Sequence, residues 1–402
     1  MDPAVARAWE SVQADFPVNE SLIWLNNCGT TPLGRPVLEE LERFLRGYSR
    51  KGLLWEEKTY PGVKQSIYRR LAALLNAGAD EFALVHHTAE GMNFISHGLS
   101  LQAGDEILLL ENEYPSNYYP WEHWRDKGVV LKAVPCEAGP VEFLAAFQAS
   151  LTGRTKVAAL SAVHWCTGLP LPLLEVGRIC AERNIELVVD GAQGVGLLDL
   201  DVKACRIGYM AFSAWKWLLG PVGLGVLYVA REKLGGLKPI FKGTESVVQD
   251  EGYLPYRTEL KPGTDRFSYS TGNVNDWVYF DASLAYLDGI GFGRVRGRIM
   301  ELAAYLAAGL RKHGFAIHSD LFGPGGGAGN GTVSTEGDGP ASTPRTGIVA
   351  VSKPTVDSAA AVEFLKGKGI IAAERLGRIR LAPHVYISEK QIDLVIAELG
   401  SL

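Results

Sequence analysis

The sequence predicts an α/β protein: a mostly parallel sheet between layers of helices forms a large domain, and a smaller α/β domain follows it. Three observations carry this. Short apolar runs rich in β-branched residues, such as Ile185 to Val189, alternate with stretches whose apolar residues recur at helical spacing. At 402 residues and 47% hydrophobic content, the chain is long enough to bury one large core and a second, smaller one. Beyond Gly314 the chain reads β-α-β-β and ends in a capped helix.

Taken in order, the residues up to about position 20 read as an amphipathic lead-in helix with Val5, Ala8, Trp9, Val12 and Phe16 on one side. Trp24 to Pro32 enters a turn, and Pro36 opens a helix carrying Leu38, Leu41, Leu45 and Tyr48. Ile67, Leu71, Leu74 and Leu75 mark another helix, closed by Asn76 to Gly78. Phe82 to Val85 is a strand, and Thr88-Ala89-Glu90-Gly91 starts a helix bearing Met92, Ile95 and Leu99. A strand that feeds a helix N-terminus offers free N–H groups to an anion, although a plain capped helix has the same signature. Glu106 to Leu110 and Lys156 to Val163 are strands, and Leu171 to Asn184 is a helix. Val222 to Val229 is a further strand, and Lys242 to Lys261 is a polar loop. Leu302, Leu306 and Leu310 place a helix before Gly314. Ile370 to Ala373 and Arg378 to Leu381 are strands, and Ser388-x-x-Gln391 caps the last helix. Gly323 to Ala328 fits a G-x-G-x-x-A pattern, but Gly329-Asn330-Gly331-Thr332 cannot begin a helix, so Gly323 to Pro344 reads as a loop.

Chemistry concentrates around one strand end. Asp190 arrives at the carboxyl end of Ile185 to Val189, where open α/β sheets place their ligands. A buried acid there needs a partner, and a protonated ring nitrogen is one that suits it. Lys216 stands between Trp215 and Trp217, apolar surroundings that favour a Schiff-base lysine. Each residue alone has another reading: Asp190 as a helix N-cap, Lys216 as a lysine that snorkels to the surface. Together they point to pyridoxal phosphate (PLP).

The step Asp190-Gly191-Ala192-Gln193, followed by Ser213-x-x-Lys216-Trp217-x-x-Gly220-Pro221-x-Gly223-x-Gly225-x-Leu227-Tyr228, resembles the class V aminotransferase family of PLP enzymes. That family includes cysteine desulfurases, cystine C–S lyases, isopenicillin N epimerase-like proteins and kynureninases, and the resemblance runs from about Trp24 to the C-terminus. It implies PLP fold type I, with residues 21–285 as the large PLP-binding domain, residues 286–402 as the small domain and residues 1–20 packed against the latter. It further implies a homodimer with shared sites, in which Thr271 of Arg266-Phe267-Ser268-Tyr269-Ser270-Thr271-Gly272-Asn273 reaches the partner subunit's cofactor phosphate.

The same resemblance distributes roles. Thr88, Ala89 and Glu90 match a phosphate-binding Thr-Thr-Glu-Gly turn, with Ala89 lacking one hydroxyl donor. Tyr114 replaces a stacking His that moves protons; a phenol stacks as well, but its ordinary pKa near 10 suits proton transfer poorly. Gln193, Ser213 and Trp215 line the cofactor, with Trp215 in place of a desulfurase His. Arg380 matches the carboxylate-binding arginine, and Cys28 and Gly29 lie on the opening loop near substrate. Trp165, in His164-Trp165-Cys166-Thr167-Gly168, resembles cystine C–S lyases where desulfurases carry Asn; packing in the core is its other reading. Desulfurases add a nucleophilic Cys before the arginine, whereas Ala372 to Arg380 holds none.

Composition narrows the classes. A net charge of −5 gives no footprint for nucleic acid, and no Lys/Arg run suggests a membrane surface, which leaves small solutes as partners; the resemblance implies that the solute is an amino-acid substrate. Five scattered cysteines, Cys28, Cys136, Cys166, Cys180 and Cys205, form no metal or disulfide spacing and fit a reducing cytoplasm. His86, His87, His123, His313 and His318 are not spaced as a metal site and read as loop or surface residues. The N-terminus lacks a basic segment with an apolar core behind it, and no apolar run approaches a bilayer span. The expected activity is a PLP-dependent C–S β-lyase on cysteine, cystine or a cysteine S-conjugate, with Lys216 removing the α-proton. An aminotransferase or epimerase is the alternative, and a non-catalytic PLP-binding scaffold is a third.

Overall fold

The apolar runs fold as strands and the amphipathic ones as helices, in a computed structural model that describes residues 9–53, 59–136, 139–248, 252–320 and 346–402. Helix α1 (Trp9–Ala14) leads to β1 (Ile23–Trp24), α2 (Arg35–Lys51) and α3 (Thr59–Leu75). Strand and helix then alternate through β2 (Phe82–Val85), α4 (Thr88–Gly98), β3 (Glu106–Leu110), α5 (Pro115–Glu122), β4 (Val130–Val134) and α6 (Pro140–Ser150). Next come β5 (Thr155–Ser161), α7 (Leu173–Glu182), β6 (Glu186–Asp190), β7 (Tyr209–Ser213) and β8 (Gly225–Val229). The chain closes with α8 (Val274–Ile290), α9 (Phe292–Lys312), β9 (Ala316–Ile317), β10 (Val349–Ser352) and α10 (Ser358–Gly367). Last are β11 (Ile370–Ile371), β12 (Ala373–Arg375), β13 (Arg378–Leu381) and α11 (Glu389–Gly400).

A seven-stranded sheet, ordered β2-β8-β7-β6-β5-β3-β4, organises the molecule. The run from β4 to β7 is parallel, while β8 lies antiparallel between β7 and β2. Helices cover both faces, which is why β3, β6 and β7 read as unbroken apolar runs. Alternate residues feed two cores: Leu108, Leu160 and Val189 on one face, Ile107, Ala159 and Val188 on the other. Parallel register sets Ser161, Asp190 and Ala211 side by side, so the carboxyl ends of β5, β6 and β7 open on the same ground.

The C-terminal part forms an antiparallel sheet, β12-β13-β10-β9, with α9, α10 and α11 packed around it. The chain's beginning returns to it. Strand β1 pairs in parallel with β11, Phe16 stacks on Tyr386 at 4.4 Å, and Asn19 donates to the Tyr386 carbonyl. This contact splits the expected strand Ile370 to Ala373, because β11 turns to β1 while β12 joins β13. The expected strand Val222 to Val229 starts only at Gly225, since Gly223 takes a left-handed turn at φ 94°. Helix α2 forms as its spacing predicts, yet Leu38, Leu45 and Tyr48 stay exposed on the single chain. Val5, Ala8 and the segment Gly323 to Pro344 lie outside the described residues. Among the described residues no helix is long and apolar enough to cross a membrane.

Candidate active site

Asp190 ends β6 with its side chain buried, and one carboxylate oxygen accepts the Ala192 N–H at 2.9 Å. Burial pushes its carboxyl up from the ordinary range, against the pull of the Lys216 charge and that N–H. Lys216 lies just past the end of β7, also buried; burial pushes its ammonium down to about 8, with the Asp190 charge opposing. The lysine is held by its neighbour. Trp217 is fully buried, donates to Gln193 Oε1 at 3.0 Å, and its carbonyl meets His384 Nε2 at 3.2 Å. Gln193 in turn donates to the Cys28 carbonyl at 3.0 Å, tying the opening loop to the strand-end turn.

Asp190, Lys216, Gln193 and Cys28 help wall a cavity of about 340 Å³. Its lining includes Cys28, Gly29, Thr88, Ala89, Tyr114, Asp190, Gln193, Ser213, Trp215, Lys216 and Arg380, each of them singled out in the sequence. Helix α4 presents its amino terminus to this space because Gly91 lets it approach β7; a Cβ there would lie 2.6 Å from the Ala211 Cβ. Lys216 Nζ stands 5.6 Å from the Tyr114 ring centre. Arg380 is buried on β13 and donates to the Trp165 carbonyl at 2.7 Å, while its Nε has no partner.

Three singled-out residues stand apart from this lining. Trp165 braces Tyr114 at 5.5 Å between ring centres and donates to the Asn112 carbonyl. Glu90 turns away, accepting from the His86 backbone N–H at 2.6 Å and from the Tyr269 hydroxyl at 3.0 Å. Exposed Thr271 lines a separate groove beside Glu90, Tyr269 and Gly272.

The structure adds residues that sequence reasoning passed over. Glu113 is buried at the end of β3 and accepts from Ser161 Oγ at 2.5 Å, the Tyr114 N–H at 2.7 Å, Asn117 Nδ2 at 3.0 Å and the Ser161 N–H at 3.1 Å. Burial, then the neighbouring Asp190 charge, pushes its carboxyl up to about 7. Its signal was available: an acid three residues past a buried strand and immediately before the stacking aromatic. Arg375, Ser116 and His87 also line the cavity. His87, read as an ordinary loop or surface residue, is exposed and also serves as the N-cap of α4.

The cavity suits a flat, phosphorylated pyridine. It offers a buried acid for a ring nitrogen, a lysine with a lowered pKa, a helix N-terminus for a phosphate, and the Ser213 hydroxyl, buried without a partner. The family model for class V aminotransferases matches residues 23–319.

The chain belongs to the class V aminotransferase family. It is a PLP-dependent enzyme with PLP fold type I. A probable cysteine desulfurase of Methanothermobacter thermautotrophicus is 27% identical over 304 residues, 74% of this chain and 75% of the relative. An isopenicillin N epimerase of Amycolatopsis lactamdurans is 30% identical over 314 residues, 75% of this chain and 78% of its own length. Among solved structures, the cystine C–S lyase C-DES with its reaction product cysteine persulfide aligns at TM-score 0.85 and 23% identity, covering 96% of this chain and 99% of that one.

Proposed function

We propose that this enzyme is a C–S β-lyase acting on cysteine, cystine or a cysteine S-conjugate. Bound in the cavity, PLP supplies an electron sink for the substrate's α-carbon. Asp190 holds the proton on the ring nitrogen, Tyr114 stacks on the ring, and Arg380 receives the α-carboxylate with its planar fork. Lys216, once released, takes the α-proton; a pKa near 8 leaves a usable fraction of free amine at neutral pH. Loss of the β-sulfur then releases sulfide from cysteine, a persulfide from cystine or a thiol from an S-conjugate, and water hydrolyses the remaining 2-aminoacrylate to pyruvate and ammonia. The relatives named as cysteine desulfurases and the cystine C–S lyase support a cysteine-type substrate.

One observation favours elimination over persulfide transfer to the protein. Strands β12 and β13 are joined by a two-residue turn, Leu376-Gly377, both at positive φ, which leaves no loop to carry a thiol into the site. Cys28 is the one cysteine lining the cavity among the described residues, and burial pushes its thiol up, away from the nucleophilic thiolate. Supplying cystine and an S-alkylcysteine and assaying products tests the reading. Pyruvate with ammonia supports it. Alanine with a protein-bound persulfide returns desulfurase chemistry, and an inverted amino acid or a keto acid without sulfur release means epimerase or aminotransferase. No turnover at all with PLP bound means a scaffold.

On the same reading the enzyme is a homodimer, with Thr271 serving the partner subunit's phosphate. Its exposure, its place in a separate groove and the bare apolar side of α2 support this. Cofactor affinity then falls when the dimer is diluted to monomers; a monomer that holds PLP as tightly contradicts shared sites. Residues 21–285 are the cofactor-binding domain and 286–402 the small one, with 1–20 on the latter. Gly291, at φ 93° between α8 and α9, is the break in regular structure nearest that boundary.

A further inference from the structure

The end of the cavity formed by α4 is capped in an uncommon way. Helix N-caps are ordinarily Ser, Thr, Asp or Asn, whose oxygens accept a first-turn N–H. Here the cap is His87, whose Nδ1 accepts the Glu90 N–H at 3.0 Å. A ring nitrogen that accepts carries no proton, so the imidazole proton sits on Nε2. That N–H has no hydrogen-bond partner among the described residues, and His87 is exposed and lines the cavity with Thr88 and Ala89.

The surroundings show what such a donor faces. The N–H groups of Thr88 and Ala89 have no acceptor among the described residues, as expected of a first helical turn. Ser213, in the same cavity lining, is 4% exposed and its buried hydroxyl has no partner, a second donor in that lining. Donors of this kind around a helix N-terminus suit a phosphate. Ala89 contributes only a methyl group to that set. Strand β8 fixes the capping residue in place: a Cβ on Gly225 would lie 2.9 Å from the His87 Cα and carbonyl carbon, so only glycine lets the two backbones meet.

We propose that the His87 Nε2–H donates to the phosphate of PLP and supplies the side-chain donor that Ala89 lacks. The inference rests on the cofactor site described above. One imidazole thereby does two jobs: Nδ1 ends the helix, and the tautomer this enforces makes Nε2 the donor. The helix cap and the cofactor contact are coupled through a single proton.

The test compares PLP with pyridoxal, which has no phosphate, by titrating apo-protein and following tryptophan fluorescence. His87→Ser keeps a cap-competent hydroxyl but cannot reach the phosphate. The expected result is an apo-protein that melts as wild type does, binds pyridoxal as before, and binds PLP roughly tenfold or more weakly, the effect of one charge-assisted hydrogen bond. Ala89→Thr in that background restores PLP affinity. Should the serine variant fail to fold, His87→Asn, another capping side chain, carries the same comparison. PLP and pyridoxal affinities that fall together, or a PLP affinity that does not change, overturn the proposal and leave His87 as a cap alone. A wild-type protein that takes up no PLP overturns the cofactor site itself and this inference with it.

Discussion

Two carboxylates sit at opposite edges of the same sheet, and their surroundings differ. At the amino end of β3, buried Glu106 accepts from Thr152 Oγ at 2.7 Å, Thr155 Oγ at 3.1 Å, and Lys132 and Arg154 at 3.2 Å each. Burial pushes its carboxyl up, but the hydrogen bonds from Thr152, Lys132 and Thr155 prevail and hold it at about 2. At the carboxyl edge, Asp190 receives one hydrogen bond, Glu113 is pushed up to about 7, Lys216 down to about 8, and Ser213 Oγ and Arg380 Nε have no partner. The amino edge satisfies its charge and stabilises the fold. The carboxyl edge leaves charge under-satisfied until a ligand completes it, as expected of a functional site.

Replacing Asp190 by Asn separates the two edges most widely. Turnover should fall by about 10²–10³-fold, the scale of removing a preorganised charge from a transition state, as steady-state kinetics would show. Apo-protein stability should stay level or rise, because the native carboxylate is desolvated with little compensation. A melting temperature that falls in step with activity would make Asp190 a structural cap.

A second difference is visible in pH. The rate at which apo-protein captures PLP should climb roughly tenfold per pH unit below 8 and level off above about 8, because only the free amine of Lys216 condenses with an aldehyde. Stopped-flow absorbance measures this. A rate still climbing steeply between pH 9 and 10 would mean that burial does not lower this lysine.

The amino edge gives the smallest and opposite effect. Glu106→Gln should cost about 1–3 kcal/mol of stability, because it removes the counter-charge of Lys132 and Arg154 and weakens four hydrogen bonds, and should leave turnover unchanged at permissive temperature. The sign with pH follows from its depressed pKa. Glu106 contributes fully above its unfolded value near 4.5, and the contribution is lost as pH falls through about 2. Urea unfolding of both proteins from pH 7 to pH 2 should show the gap closing.

The carboxyl edge was readable in the sequence because its signals are local. Asp190 follows a continuous apolar strand, Lys216 sits between tryptophans, and Ser388 to Gln391 forms the expected capping box. What stayed hidden depends on distant partners. Strand β4 is an edge strand, half exposed and carrying Lys132, so it offers no unbroken apolar run. Strand β11 leaves its hairpin for β1, far away in sequence, and no local pattern announces that pairing. Glu113 and His87 were in view as letters, but their importance comes from Ser161 and Gly225, which only the folded sheet brings to them.

The central claim is that the carboxyl edge exists to hold PLP on Lys216, and borohydride reduction of the isolated protein followed by peptide mapping tests it most directly. The account predicts a stable phosphopyridoxyl label on the peptide containing Trp215-Lys216-Trp217 and none after Lys216→Ala. A label on any other lysine, or none on the wild-type protein saturated with PLP, would contradict it.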